Sequence, residues 1–216
     1  MPGFFITVEG IEGAGKTTVA ERLETWLQVR GHATFRAREP GGTPTGEALR
    51  GLILDAGHPL GVEAELLLIE AARAQLMDEV VLPRLELGQT VILDRHIDST
   101  TAYQGYGRGL DLDWIARLNH FATRGRRPDR TLLLDVDAAV GLARARGSKP
   151  DTPYADRFET EELAFMERVR QGFLTLARSE PQRFHVVNAE AGVEEVWRKV
   201  CTGIEREEAN HHPQRD

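Results

Sequence analysis

A single cysteine, Cys201, stands in 216 residues, which excludes an intrachain disulfide and a multi-cysteine metal site. Positive charge is also short: 27 Lys and Arg face 34 Asp and Glu, for a net charge of −7. Affinity for nucleic acid comes mainly from neutralising its phosphates, so a general nucleic-acid binder is not expected, although a local basic cluster could grip a small phosphate ligand. No apolar stretch approaches the ~20 residues that span a bilayer, so no membrane partner is expected. The N-terminus lacks a basic flank, and its apolar run Phe4–Val8 is too short for a secretory signal. Internal repeats and low-complexity linkers are missing. So are the Asp-x-x-Gly and Asn-Lys-x-Asp segments that would favour a GTPase.

The remaining composition, 41% hydrophobic and 28% charged, is ordinary for a globular chain and sufficient for a sizeable core. We expect one cytoplasmic domain over 1–206, and a polar tail, 207–216, that is disordered. Five β-like runs, Phe4–Val8, Ala33–Ala37, Thr90–Asp94, Thr131–Val136 and Phe184–Val187, read as continuously apolar rather than alternating, the second least so. Such runs suit a parallel sheet buried on both faces. Helical patterns lie between them. Val19, Leu23, Trp26 and Leu27 recur at helical spacing before Gly31. Glu63 to Leu87 reads as a long helix that Pro83 kinks or breaks. Asp113 is placed to cap a helix with Trp114, Ile115, Leu118 and Phe121 on its apolar face, and Ala138–Arg146, Glu159–Ala177 and Val193–Arg206 complete the set. The alternation predicts an α/β fold: a doubly wound, five-stranded parallel sheet flanked by helices.

Gly10-Ile11-Glu12-Gly13-Ala14-Gly15-Lys16-Thr17 matches the phosphate-binding loop G-x-x-x-x-G-K-[ST], follows an apolar strand directly and opens an amphipathic helix. Its glycines let backbone N–H groups converge on phosphate oxygens at the positive end of the helix. Lys16 would face the β- and γ-phosphates, and the Thr17 hydroxyl would be a Mg²⁺ ligand. Asp94, ending the third run, is the better carboxylate on the metal side. Asp135 and Asp137 compete for that role, with helix capping before Ala138 as their other reading.

Ligands in this architecture bind at the loops after the strands. Arg38-Glu39-Pro40-Gly41-Gly42-Thr43 follows the second run, and Asp94-Arg95-His96 follows the third, leading to Ser99, Thr100, Tyr103 and Gln104. Arg73 shares a helix face with Ile69. Several arginines at strand ends near a phosphate loop favour an anionic second substrate. The polar, proline-containing segment Gly147–Asp156, shouldered by Arg144, Arg146 and Arg157, reads as a lid spanning about 144–159.

Together these motifs resemble the bacterial thymidylate kinases (dTMP kinases) of the P-loop nucleoside monophosphate kinase family. The matches are Glu9-Gly10 with the Gly-Ala-Gly-Lys-Thr-Thr loop that ends at Thr18, Arg38 to Thr43, Ala71-Ala72-Arg73, and Asp94-Arg95-His96. Ser99 through Gly105 and Asp156-Arg157-Phe158-Glu159 match as well. The resemblance implies transfer of the ATP γ-phosphoryl group to dTMP with Mg²⁺, giving dTDP for DNA precursor synthesis, usually by a homodimer. It places residues Gly10 to Thr18 on ATP, and Glu12 near the deoxyribose 3′-OH. Arg38 and Arg95 would hold the dTMP phosphate, Arg73 the thymine carbonyl, and Thr100 and Gln104 the base edge. Tyr103 would occupy the space of a 2′-OH. The loop carries no arginine between Gly10 and Gly15. Resemblance to the subgroup built this way implies a catalytic cation from the lid, from among Arg144, Arg146 and Lys149, and places Glu159 at a position that assists the metal in some members. One position departs: where most relatives stack a phenylalanine on thymine, this chain has Ile69. The alternatives are another nucleoside monophosphate or deoxynucleoside kinase and, outside enzymes, a non-catalytic nucleotide-binding module. An acceptor panel separates them.

Overall fold

The computed structural model describes residues 3–57, 59–147 and 163–211. Five strands, β1 (Phe5–Glu9), β2 (Thr34–Arg38), β3 (Thr90–Asp94), β4 (Arg130–Asp135) and β5 (Phe184–Asn188), form one sheet of order β2-β3-β1-β4-β5. Every pairing is parallel. The chain runs outward from β1 to β2, returns to β3 beside β1, and then crosses to β4 on β1's other side. The crevice beyond the carboxyl ends of β1 and β3 therefore lies where the winding reverses, and the register brings Val8, Arg38 and Asp94 to one level.

The predicted strands are present, within a residue or two at each end. β1 and β3 are buried along their whole length. Alternate residues serve two cores: Ile6, Val8 and Ile92 join Leu23, Leu132 and Phe173 on one face, while Phe5, Val91 and Leu93 meet Leu76, Val81 and Leu85 on the other. Two covered faces demand apolar residues at both parities, which is why no alternation was visible. The weakest run, β2, is an edge strand and only half-buried.

Helix α1 (Lys16–Val29) ends as expected. Gly31 takes φ 86°, its N–H donates to Gln28 O, and that of His32 donates to Leu27 O. Helix α2 (Pro44–Leu54) was not anticipated; Thr43 caps it by accepting from Gly46 N at 2.9 Å, with proline in its first turn. The long helix expected over Glu63–Leu87 is divided into α3 (Val62–Leu76), a π-turn over Met77–Val81, and α4 (Leu82–Glu86), which begins around Pro83. Proline has no N–H to give and its ring crowds the preceding turn, so the widened turn takes up the mismatch.

Beyond β3 come α5 (Ile97–Thr100), a second π-turn over Thr101–Gly107, and α6 (Leu112–Ala122). Asp111, not Asp113, caps α6, accepting from Trp114 N at 2.9 Å. The expected apolar face of α6 is split: Ile115 is buried, whereas Trp114 and Phe121 are 63% and 81% exposed. Helices α7 (Ala138–Gly147), α8 (Leu163–Ser179) and α9 (Val193–His211) complete the fold. Helix α9 runs on to His211, into the segment expected to form the polar tail, and 212–216 lie outside the described residues. Its Glu205-Arg206-Glu207-Glu208-Ala209 stretch is polar but made of strong helix formers. Among the described residues no helix is long and apolar enough to cross a membrane.

Candidate active site

The phosphate loop joins β1 to α1 with Gly10 at φ 142° and Gly13 at φ 71°, backbone that side chains other than glycine rarely adopt. Space imposes the same choice. A Cβ on Gly13 would stand 2.1 Å from Gly141 O, and one on Gly141 would stand 2.6 Å from Glu12 O. This glycine-to-glycine crossing lets α7 touch the loop and sets Arg144 beside it. Ile11 and Ala14 are buried and anchor the loop in the core. Lys16 curls back over the loop and donates to Ile11 O at 2.7 Å. Burial, with Arg95 nearby, pushes the Lys16 ammonium down to about 8, against the pull of Asp94, Glu12 and Glu9. Thr18 is exposed on the first turn of α1.

Thr17 Oγ1 donates to Asp94 Oδ2 at 2.6 Å, joining the head of α1 to the end of β3. A hydroxyl and a carboxylate at a phosphate loop are hard oxygen donors of the kind Mg²⁺ takes. The other two aspartates are engaged elsewhere. Arg170 grips Asp135 at 2.7 and 3.2 Å, and Asp137 accepts from Ala139 N at 2.9 Å at the start of α7. No group of three or more His, Cys, Asp or Glu gathers among the described residues.

Arg95 sits at φ 70°, in the left-handed region. Its neighbours are held by the buried carboxyl of Glu9, which accepts from His96 N at 2.7 Å and from Ser99 Oγ at 2.6 Å. Burial, reinforced by Asp98, pushes Glu9 up to about 8. The Arg95 guanidinium reaches Glu12 Oε1 at 2.6 Å and Ser99 Oγ at 3.2 Å, and lies 4.9 Å from the centre of the Tyr103 ring. Tyr103 OH donates to the other Glu12 oxygen at 2.6 Å. Burial alone would raise Glu12, but Arg95, Lys16 and the Tyr103 hydroxyl together hold it below the usual carboxylate range.

Glu12, Arg95, Ser99, Thr100, Tyr103, Gln104, Ile69 and Arg73 line one cavity that opens to solvent. Arg73 is 1% exposed, and its donors are used inside the protein. Nε meets Glu39 at 2.9 Å, Nη1 meets Glu70 at 2.6 Å and Asn119 at 2.8 Å, and Nη2 meets Thr100 at 2.8 Å and Glu39 at 2.8 Å. Arg38 is not brought to the cavity; it is half-exposed and pairs with Glu47 at 2.9 Å. Arg144 donates to Ala189 O at 2.8 Å in the loop after β5, and Arg146 is exposed. Lys149, with Glu159, lies outside the described residues.

Sequence reasoning missed Glu39, His96 and Arg50 as cavity residues. The first two stood inside quoted motifs, and their pairing at 2.8 Å joins segments 57 positions apart. Arg50 sits on α2, whose start was signalled by Thr43-Pro44. The reading also passed over Gly141.

The family described as thymidylate kinase matches residues 8–200. A thymidylate kinase of Geobacter sulfurreducens is 52% identical over 195 residues, 89% of this chain and 92% of that protein. One of Deinococcus radiodurans is 48% identical over 203 residues, 94% of this chain and 96% of that protein. A crystal structure of thymidylate kinase from Ehrlichia chaffeensis superposes with a TM-score of 0.75 at 33% identity, covering 94% of this chain and 99% of that one.

Proposed function

The chain belongs to the thymidylate kinase family and transfers the γ-phosphoryl group of ATP to dTMP, giving dTDP; on that premise we propose how its residues divide the work. The loop from Gly10 to Thr18 cradles the ATP phosphates, with Lys16 as the point charge on the transferring group. Thr17 and Asp94 hold Mg²⁺, which when bound neutralises charge on the phosphates. The cavity from Glu12 to Gln104 receives dTMP. Its phosphate end is Arg95, supported by Arg38 once that side chain leaves Glu47. Glu12 takes the deoxyribose 3′-OH, and Tyr103 closes the space where a 2′-OH would sit. The base lies between Ile69, Thr100, Gln104 and the Arg73 cluster. Four hydrogen bonds and an ion pair already hold the Arg73 guanidinium inside the protein, so its hold on a thymine carbonyl competes with those partners.

Phosphoryl transfer needs in-line placement and stabilisation of charge spreading over the γ-oxygens, with no covalent step by the protein. The observation that carries this assignment is the Glu12–Arg95–Tyr103 cluster, which abuts the phosphate loop and forms one wall of the cavity. A further cation comes from Arg144, Arg146 or Lys149. ADP release measured with an acceptor panel tests the reading: dTMP should be preferred over dCMP, dGMP and thymidine, and a different winner would reassign the cavity.

Ile69 offers the base an apolar wall without a π-face. Stacking on an aromatic ring contributes roughly 1–3 kcal/mol per base, of which aliphatic contact retains about half. Ile69→Phe is expected to tighten dTMP binding about two- to tenfold and leave ATP affinity unchanged, read by calorimetry. An unchanged Kd in a folded variant would remove Ile69 from the base pocket.

We also place the enzyme in the cytoplasm as a homodimer. On α6, Trp114 and Phe121 project outward, while α3, packed against α6, exposes Leu67 between Ala64 and Ala71. An apolar surface of this kind is what a partner subunit would cover, and sedimentation equilibrium reads the stoichiometry.

A further inference from the structure

Gln104 is almost wholly buried, yet it lines the cavity. Its amide nitrogen donates to Glu65 Oε1 at 2.9 Å. Glu65, in the first turn of α3, is itself fully buried. The same Glu65 oxygen lies 3.7 Å from Arg108 Nε, and the Arg108 guanidinium stands 4.7 Å from the centre of the Phe165 ring.

An ionised carboxylate only accepts hydrogen bonds, whereas a primary amide has one accepting and one donating end. Facing a carboxylate, Gln104 must present Nε2. Turning the amide over would set lone pair against lone pair in a buried place and forfeit a charge-assisted bond. The other end, Oε1, is thereby committed to the opposite side, and among the described residues it accepts no hydrogen bond. The cavity therefore has a fixed acceptor, oriented by a residue that does not line it.

We propose that Glu65 is a positioning residue for base specificity: by fixing the Gln104 amide it selects acceptor nucleotides whose pyrimidine ring carries an N–H at position 3. This rests on the cavity being the dTMP site. On the edge of thymine, O2 and O4 accept and N3–H is the one donor. A fixed acceptor can meet only that group. Cytosine in the same pose offers a lone pair at N3, so the Gln104 oxygen would face it unpaired. Rejection by an unpaired buried polar group is far stronger than rejection by shape alone.

Glu65→Gln keeps the shape of the side chain but can either accept or donate, so both orientations of Gln104 become satisfiable. We expect the dTMP-to-dCMP ratio of kcat/KM to fall at least about tenfold. The dTMP change should appear chiefly in KM, and dCMP should gain. Glu65→Asp, which keeps an acceptor-only group, should retain most of the ratio even if efficiency drops. A ratio within about twofold of the parent in folded Glu65→Gln would overturn the proposal. An equal collapse in Glu65→Asp would do so too, because packing would then be the cause. If Glu65→Gln fails to fold, Gln104→Met decides: its ratio must fall through loss of dTMP, and a preserved ratio overturns the proposal. The parent enzyme keeps the two levels apart. Parent activity with neither nucleotide, or with dCMP preferred, would strike the proposed function itself, whereas a changed variant ratio speaks only to Glu65.

Discussion

Lys16→Met should lower turnover by at least about a hundredfold with dTMP and ATP both saturating. Methionine keeps much of the stem that packs against the loop, so what is removed is the charge. That charge lies in a buried setting, where a cation aimed at a developing negative group counts for more than it would in water, and losing one such contact typically costs 10²–10³ in rate. Lys16 donates to Ile11 O and lies beside Glu12, Asp94 and Arg95; the substitution removes that bond, while Ile11 O keeps the one from Ala14 N at 3.4 Å. Steady-state kinetics and thermal unfolding separate the effects: kcat collapses while the melting temperature stays within a few degrees. Near-normal turnover would sink the assignment of this loop to the transferring phosphates.

Arg95→Ala is the next largest, and its signature falls on the other substrate. The guanidinium is ion-paired at 2.6 Å with Glu12, and burial, which opposes its charge, is outweighed by Tyr103, Glu12 and Asp94. Removing one member of a buried, hydrogen-bonded charge pair costs about 2–5 kcal/mol where it meets its ligand. The expected loss in kcat/KM for dTMP is therefore about hundredfold, shared between a higher KM and a lower kcat. ATP affinity, measured by calorimetry without dTMP, should stay near that of the parent. Arg95→Lys should recover only part of the loss, because an ammonium keeps the charge but not the planar fork that meets two phosphate oxygens. If Arg95→Ala weakened ATP alone, the two nucleotide sites would have to be exchanged.

Arg95 and its neighbours also mark how far the sequence could be read. That a cation sits at the end of β3 was legible, because strand ends carry the ligand loops in this architecture. That it would stand at φ 70° with Glu12 on one side and Tyr103 on its face was not legible. Arg73 and Arg38 diverge in the same way: both were read as substrate cations, but one lies in a web of buried carboxylates and the other turns outward to Glu47. Residue type reports a charge; the partner comes from elsewhere in the chain. On α6 the periodicity of Trp114, Ile115, Leu118 and Phe121 identified a helix correctly but could not distinguish a face turned to the core from one turned outward, since apolar side chains give the same pattern in both cases.

What the sequence determined by itself is local. Gly10 to Thr17 fixes a phosphate loop because the glycines, the lysine and the hydroxyl act through backbone within a few residues, with a strand before and a helix after. Continuous apolar runs fixed a parallel sheet, because a strand covered on both faces has no polar side to alternate with. The tertiary structure alone decided which charges meet. Tyr103 and Glu12 are 91 positions apart, Arg73 and Asn119 are 46 apart, and Gln104 and Glu65 are 39 apart. The direction of a hydrogen bond across such gaps depends on how separate helices pack over the ends of β1 and β3. No local pattern encodes that packing, and it sets which atom of Gln104 is held by Glu65.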